Sequence, residues 1–235
     1  MQNKQVRINK FLSDEKICSR RAADRLIESG KVFVNGKRAI LGQKIDPEKD
    51  KVEIKGKKQL AENYKYFLYY KPVGIVSHKS SKGETEARED AGLPKDYAPV
   101  GRLDKASEGL MLLTNDGRVT DRLLNPKYKH EKEYIVQVDK NIKMQIIKHL
   151  ERGVDIEGYI TKPAKARKLG ARKLKIILQE GKKHQIRRML AALGYQVLSL
   201  KRVRIMNLSI GSLLPSQKRE LKGDELKSFL NSLGL

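Results

Sequence analysis

Six short runs constrain the fold of this chain more than any other feature. They are YFLYY from Tyr66, VGIVS from Val73, LMLLT from Leu110, YIVQV from Tyr134, LKIIL from Leu174 and QVLSL from Gln196. Apolar or alternating runs of this length read as strands, because they are too short to bury a helix face. Helical patterns interrupt them at about 118–124, 142–152, 183–193 and 224–233, and Gly194 follows the third where a helix-ending glycine belongs. Mostly adjacent strands with helices between them predict an α+β domain on a mixed, largely antiparallel sheet. The polar, partly acidic stretch 77–98 reads as a mobile loop.

One of these runs adjoins a candidate for chemistry. In GRLDKASEGLMLLTNDG, residues 101–117, the buried run Leu110–Leu113 is closed by the turn residues Asn115, Asp116 and Gly117. Asp104 therefore sits in the loop that enters a rigid element, a common location for catalytic carboxylates. Nearby Arg102 is of a type that holds either that carboxylate or a phosphate. Spacing alone leaves two readings open: a turn cap paired with a surface lysine, or a carboxylate set for binding or catalysis.

Residues 5–55 read as a separate small module. Ile8, Phe11 and Leu12 recur at helical spacing, and Ser19 caps a second helix that runs through Ala22, Ala23, Leu26 and Ile27 to Gly30. The strand Val32–Val34 then meets Asn35-Gly36, the pair that favours a tight hairpin. Lys10, Arg20, Arg21 and Arg25 line the two helices as a binding face, or as a solvated surface balanced by Asp24 and Glu28. Residues 56–65 are polar and read as a linker to a second domain, 66–235.

A formal charge of +23 makes a polyanion the expected partner. No apolar run approaches the roughly 20 residues that span a bilayer, and no signal peptide opens the sequence, so nucleic acid is favoured over membrane. The lone Cys18 excludes an internal disulfide and fits a reducing, cytoplasmic compartment; its setting is that of a small hydrophobe in a helix. His78, His130, His149 and His184 show no metal-ligand spacing, and neither a metal nor a cofactor is expected. Basic density peaks in residues 161–190, with eleven Lys or Arg against one Glu. Lys182, Lys183 and Arg188 from this stretch join the expected RNA contacts, which give affinity but not sequence selectivity.

Four segments in order carry a family resemblance. Lys71-Pro72-Val73-Gly74, the Gly101–Gly117 stretch, His130-Glu131-Lys132-Glu133-Tyr134, and Glu180 to Met189 (EGKKHQIRRM) resemble the motifs of the RNA pseudouridine synthases. The N-terminal RINKFLSDEKICSRRAADRLIESGKVFVNGKRA resembles the S4 RNA-binding domain found in the ribosomal branch of that family. Many S4 helices carry an acid where Ala22 stands, so the capping box is incomplete here. HEKEY and the later Lys201 to Asn207 (KRVRIMN) look most like the branch acting on large-subunit ribosomal RNA, whose members also touch transfer RNA.

The resemblance implies the chemistry and its residues. Uracil would leave C1′ of its ribose, turn within the site and rejoin through C5, with no cofactor and with the nucleotide flipped out of its stack. Asp104 would be the essential carboxylate, acting on C1′, on the uracil ring or on a ribose proton. Arg187 would hold its charge in a desolvated pocket; from a helix face it is equally a phosphate ligand. Tyr134 would pack on the uracil ring, or simply open a core strand. Arg102 would fill the gap left by the flipped base. Ile176 and Leu178 would wall the pocket and Lys71 and Pro72 would shape its edge, purely structural roles being the alternative for these last four. The enzyme is expected to act as a monomer on ribosomal RNA. Small-subunit or transfer RNA is the alternative target, and a non-catalytic ribosome-assembly factor the alternative of another class. Intact Asp104, Tyr134 and Arg187 count against the latter.

Overall fold

The computed structural model describes residues 5–15, 17–55, 64–78 and 80–235. It divides into two compact units, Met1–Tyr64 with Asp116–Asp121, and Lys65–Asn115 with Arg122–Leu235. Most of the expected linker, residues 56–63, lies outside the described part.

In the first unit, β1 (Val6–Arg7) pairs antiparallel with β4 (Lys44–Ile45), and β2 (Val32–Val34) lies between β3 (Lys37–Arg38) and β5 (Val52–Ile54). The helices α1 (Ile8–Asp14) and α2 (Arg20–Glu28) bury Ile8, Leu12, Ala22, Ala23 and Ile27 into one core with Val32, Val34 and Ile45. Ser19 Oγ accepts from Ala22 N at 3.2 Å, so the helix keeps its cap without an acid at that position. Asn35 and Gly36 both have positive φ, 49° and 79°, as a two-residue hairpin turn requires. Cys18 is buried as expected, but in the turn between the helices rather than within one.

The second unit is built on a nine-stranded sheet. Its main path runs β10 (Lys165–Gly170), β11 (Lys173–Leu178), β9 (Lys132–Val138), β12 (Val197–Ile205), β8 (Glu108–Thr114), β6 (Tyr66–Lys71) and β14 (Lys218–Glu220). β7 (Ala98–Val100) also pairs with β8, and β13 (Leu208–Ser209) with β12. Among the described residues every ladder of this sheet is antiparallel except β8–β12, so the sheet is mixed and largely antiparallel. Helices α4 (Arg118–Leu124), α5 (Met144–Arg152), α6 (Gln185–Ala192) and α7 (Gly223–Ser232) fall near the predicted positions. α6 begins two residues late because His184 adopts a left-handed φ of 52°.

Two local expectations are corrected. VGIVS is not a strand: it makes a turn around Gly74 (φ +92°), with a single bridge from Val76 to Glu86. The segment read as a mobile polar loop contains α3 (Ala87–Asp90), whose capping box joins Glu86 and Glu89. It buries Ala87, Ala91 and Leu93 in the main core, apolar anchors that the surrounding charge conceals in the sequence.

At the one parallel junction, Arg202 lies opposite Gly109. Gly109 has φ +110°, and a Cβ there would run into the backbone N, C and O of Arg202. The bulge between Arg202 and Arg204 then leaves Arg202 buried beside Tyr134, while Arg204 meets Glu133. Gly109→Ala is therefore expected to cost at least about 2 kcal/mol, from the strained φ together with the backbone clash. Urea unfolding monitored by far-UV circular dichroism would show it; a variant as stable as wild type would contradict the close approach.

Candidate active site

Asp104 sits in the loop between β7 and β8, and the loop's backbone is held carbonyl by carbonyl. Ser77 Oγ donates to Leu103 O (2.6 Å), Ser107 N to Asp104 O (3.0 Å), Gly74 N to Lys105 O (2.8 Å) and Arg187 Nη2 to Ala106 O (2.8 Å). Arg202 Nη1 makes a longer contact with Arg102 O, 3.5 Å. Four of these five donors lie outside the loop, on the turn after β6, on α6 and on β12. A loop tied at successive residues cannot relax one residue without straining the next, so the Asp104 carboxylate is presented in a fixed direction.

The motif lysine acts one step behind this clamp. Lys71 is fully buried, and its ammonium donates to Pro72 O (2.8 Å) and Ile75 O (2.7 Å), fixing the turn whose Gly74 N holds Lys105 O. Neither Lys71 nor Pro72 lines the adjacent cavity, a correction to the expected pocket edge. Burial pushes the Lys71 amine down to about 8, with Arg202 adding to the fall and Asp104 opposing it.

That cavity encloses about 310 Å³ and is lined by Asp104, Tyr134, Leu178, His184, Lys132 and Arg202, among others. The volume is at the lower end of the roughly 300–1,000 Å³ of small-molecule sites. Register explains the grouping. Tyr134 on β9 faces Ile176 on β11 and Arg202 on β12, while Lys132 faces Leu178 and Ile205. Leu178 walls the cavity as expected. Ile176 does not; it is fully buried behind Tyr134, because the cavity narrows into core one row further along the sheet.

Asp104 does not pair with Arg187. The side chain that faces it is His184, with Nε2 3.3 Å from Oδ1 and both side chains partly exposed. Arg187 instead spends its guanidinium on Ala106 O, Ser107 Oγ (3.3 Å) and Val197 O (3.2 Å). The physical reason is reach: the first turn of α6 places Arg187 under the loop's backbone, whereas His184 at the helix start lies over the carboxylate. The buried Glu180 organises that start, accepting from Tyr159 Oη (2.8 Å), Lys162 N (3.0 Å) and Gln185 Nε2 (2.6 Å).

The other expected contacts divide. Arg102 is exposed and lines the cavity. Lys182 and Lys183 stand exposed at its mouth, Lys182 with its amine 4.4 Å from the centroid of the Tyr159 ring. Arg188 is committed elsewhere, to Ile156 O and Glu157 (2.7 Å each). Lys10, Arg20, Arg21 and Arg25 are all exposed on α1 and α2. Sequence reasoning missed His184, Lys132 and Arg202 as cavity residues. The alternation of β12, with Leu200 and Arg202 both inward, was the available signal for a buried arginine. Among the described residues no helix is long and apolar enough to cross a membrane, and no three His, Cys, Asp or Glu side chains gather as a metal site.

Comparison with known proteins follows the same division of the chain. Residues 65–192 match the RNA pseudouridylate synthase family and residues 6–51 the S4 domain. The chain is 42% identical to the dual-specificity RNA pseudouridine synthase RluF of Escherichia coli K12, over 94% of this chain and 77% of that protein. It is 37% identical to the ribosomal large subunit pseudouridine synthase B of Bacillus subtilis, over 94% of each. A crystal structure of a pseudouridylate synthase superposes with a TM-score of 0.70 at 27% identity, covering 97% of this chain and 99% of that one.

Two expectations separate the residues at this site. Arg187→Ala should destabilise by about 1–3 kcal/mol, since it removes three hydrogen bonds of about 0.5–1.5 kcal/mol each, to Ala106 O, Ser107 Oγ and Val197 O, whereas His184→Ala, at a partly exposed pair, should cost under about 1 kcal/mol. Urea titrations of the two variants test the order, and a reversal would return Asp104 to Arg187. The second concerns pH. An unfolded lysine titrates near about 10.4, so between pH 8 and 10 the unfolded chain keeps a proton that folded Lys71 releases, and stability from this group rises through that window by up to about 1.4 kcal/mol per unit. Tyr69 and Tyr70, whose phenols are pushed up by burial, oppose it only on the alkaline side and cancel in the difference between wild type and Lys71→Met. A difference that stays flat from pH 8 to 10 would show that Lys71 is not depressed.

Proposed function

The chain belongs to the RNA pseudouridylate synthase family, and from that premise we propose that it converts uridine to pseudouridine at one site in large-subunit ribosomal RNA, with Asp104 as the essential carboxylate. The observation that carries the assignment of Asp104 is the clamp on its loop. Five successive carbonyls are bound so that this side chain faces a cavity of base size, whereas Glu180, the other carboxylate that lines it, is taken up by Tyr159, Lys162 N and Gln185. Both relatives are pseudouridine synthases by name, and one is named for the large ribosomal subunit.

Each remaining residue takes a role that its surroundings support. Tyr134, backed by Ile176, offers a flat face for the uracil ring, and Leu178 closes the cavity beside it. Arg187 is a positioning residue that acts through Ala106 and Ser107. Arg102, exposed at the cavity, is placed to occupy the gap left by the flipped nucleotide. Lys182 and Lys183 meet phosphates at the mouth. Residues 5–55 form the docking module, with Lys10, Arg20, Arg21 and Arg25 as its phosphate contacts, and residues 66–235 the catalytic domain. The protein works as a cytoplasmic monomer without metal or cofactor, since isomerisation moves only a base and a proton.

Pseudouridine mapping across all RNA of cells with and without the gene should reveal one lost site, or a very small cluster, in a loop or bulge of the large-subunit RNA, where extrusion costs least. Asp104→Asn should reproduce the loss with RNA affinity unchanged, by analogy with nucleophile removals that cost up to about 10⁶ in kcat. Retained turnover in the variant would remove Asp104 from its role. Sites lost only in small-subunit or transfer RNA would move the target and leave the chemistry.

A further inference from the structure

Two basic side chains that line the cavity, Arg202 and Lys132, form no ion pair among the described residues, although Asp104 and Glu180 line it too. Arg202 is 2% exposed and lines the cavity; its Nε donates to Leu110 O at 2.7 Å and its Nη1 reaches Arg102 O, but Nη2 is buried without a partner. Lys132 lines the same cavity one row along the sheet, and burial together with the charge of Arg202 lowers its pKa. Nearby carboxylates are engaged elsewhere. Glu131 and Glu133 bind Arg204, with Lys165 on the first and Lys175 on the second; Glu180 holds Gln185, Glu108 accepts from Tyr70, and Asp104 faces His184. Among the described residues no ion pair falls on Arg202 or Lys132. Buried charge left unanswered is costly, and such a site is built for an anion that arrives later.

Resting on the reading that this chain isomerises uridine, we propose that Arg202 and Lys132 hold the detached uracil as its anion while it turns. When the N1–C1′ bond breaks, its electron pair goes to the base and spreads over N1, O2 and O4. C5 then returns a pair to C1′ to make the new bond, the C5 proton leaves, and N1 takes a proton up, so the composition of the nucleotide is unchanged. Phosphates stay outside with the backbone; the only negative charge that enters the cavity is this transient one. An unspent guanidinium N–H and an ammonium on one wall stabilise it more than they stabilise neutral uridine, which is the condition for accelerating the bond-breaking step. They also keep the free base from escaping. Gly109 and the β12 bulge place Arg202 there, and the bond from its Nε to Leu110 O keeps its fork from swinging away.

The test uses the full-length enzyme in single turnover on its target RNA and on the same RNA with 5-fluorouridine at that position. Fluorine makes the uracil anion a weaker base, so the substituted base needs less help from protein cations. Arg202→Lys keeps charge but loses the fork, and Lys132→Met removes charge from a residue that ties no backbone, so the second variant carries the test if the first fails to fold. Each should lower the rate on uridine by about 10²–10³-fold, the loss typical of one oxyanion donor. RNA affinity should stay as in wild type, and free uracil should accumulate. The defect should shrink by about tenfold or more when consumption of 5-fluorouridine is followed, as a smaller demand on the cations requires. Equal defects on both substrates, or lost affinity with an unchanged rate, would overturn the assignment and make these residues structural or phosphate-binding. If wild type forms no pseudouridine at all, the functional reading itself falls, a result distinct from either.

Discussion

The structure of the catalytic unit depends on how the backbone of the Asp104 loop is satisfied. A hydrogen bond lost from a carbonyl costs on the order of a kilocalorie, and the loop from Gly101 to Ser107 has five successive carbonyls bound beside a cavity. Four of their donors come from segments about thirty to a hundred residues distant in sequence, Gly74 and Ser77 before the loop and Arg187 and Arg202 after it, and the fifth is Ser107 N within the loop itself. Lys71 and Glu180 act at one remove, the first shaping the turn that carries Gly74, the second the entry to the helix that carries Arg187. Most of the motif residues thus share a physical task, holding one carboxylate still. Preorganisation of this kind spends binding geometry during folding, so less has to be spent when substrate arrives.

Charge is arranged in two layers around that frame. On the outer face of the sheet, Lys165, Lys175 and Arg204 are neutralised by Glu131 and Glu133, and beyond the sheet Arg188 is neutralised by Glu157. The basic stretch is therefore less free than its composition implies, and the cations left for RNA include those at the cavity mouth and on α1 and α2. Inside, burial depresses the amines of Lys71 and Lys132 and Arg202 adds to the fall in both, while Asp104, Glu108 and Asp90 oppose it at Lys71. Lys132 and Arg202 line the cavity, an arrangement suited to chemistry in which negative charge develops briefly.

The two units solve different stability problems. The first is small and relies on a compact core of Ile8, Leu12, Ala23, Ile27 and Val32 with two short sheets. The second spreads its core along a wide sheet from Val138 to Leu113, which gives the cavity rigid walls on β9, β11 and β12. A β-bulge at Val203 and a glycine at 109 are the local irregularities that let an arginine stand in such a wall.

The sequence by itself determined five of the six strand runs and the main helices, because period and turn chemistry are local, but not α3 or the strands β7, β10 and β14. Tyr66–Tyr70, Leu110–Thr114 and Tyr134–Val138 are strands, and Ser19, Asn35-Gly36 and Gly194 punctuate as expected. The family motifs in the sequence also located the cavity residues Asp104, Tyr134 and Leu178. Only the tertiary structure decided who faces whom. His184, three residues before Arg187, takes the place beside Asp104 that was expected of Arg187, because one is aimed at a carboxylate and the other at a backbone. Lys71 left the pocket edge for the interior because two carbonyls claim its ammonium. VGIVS became a turn because Gly74 is needed against Lys105 O. Arg202 entered the cavity through a parallel pairing with β8, 92 residues from its partner Leu110, a contact that no local pattern encodes.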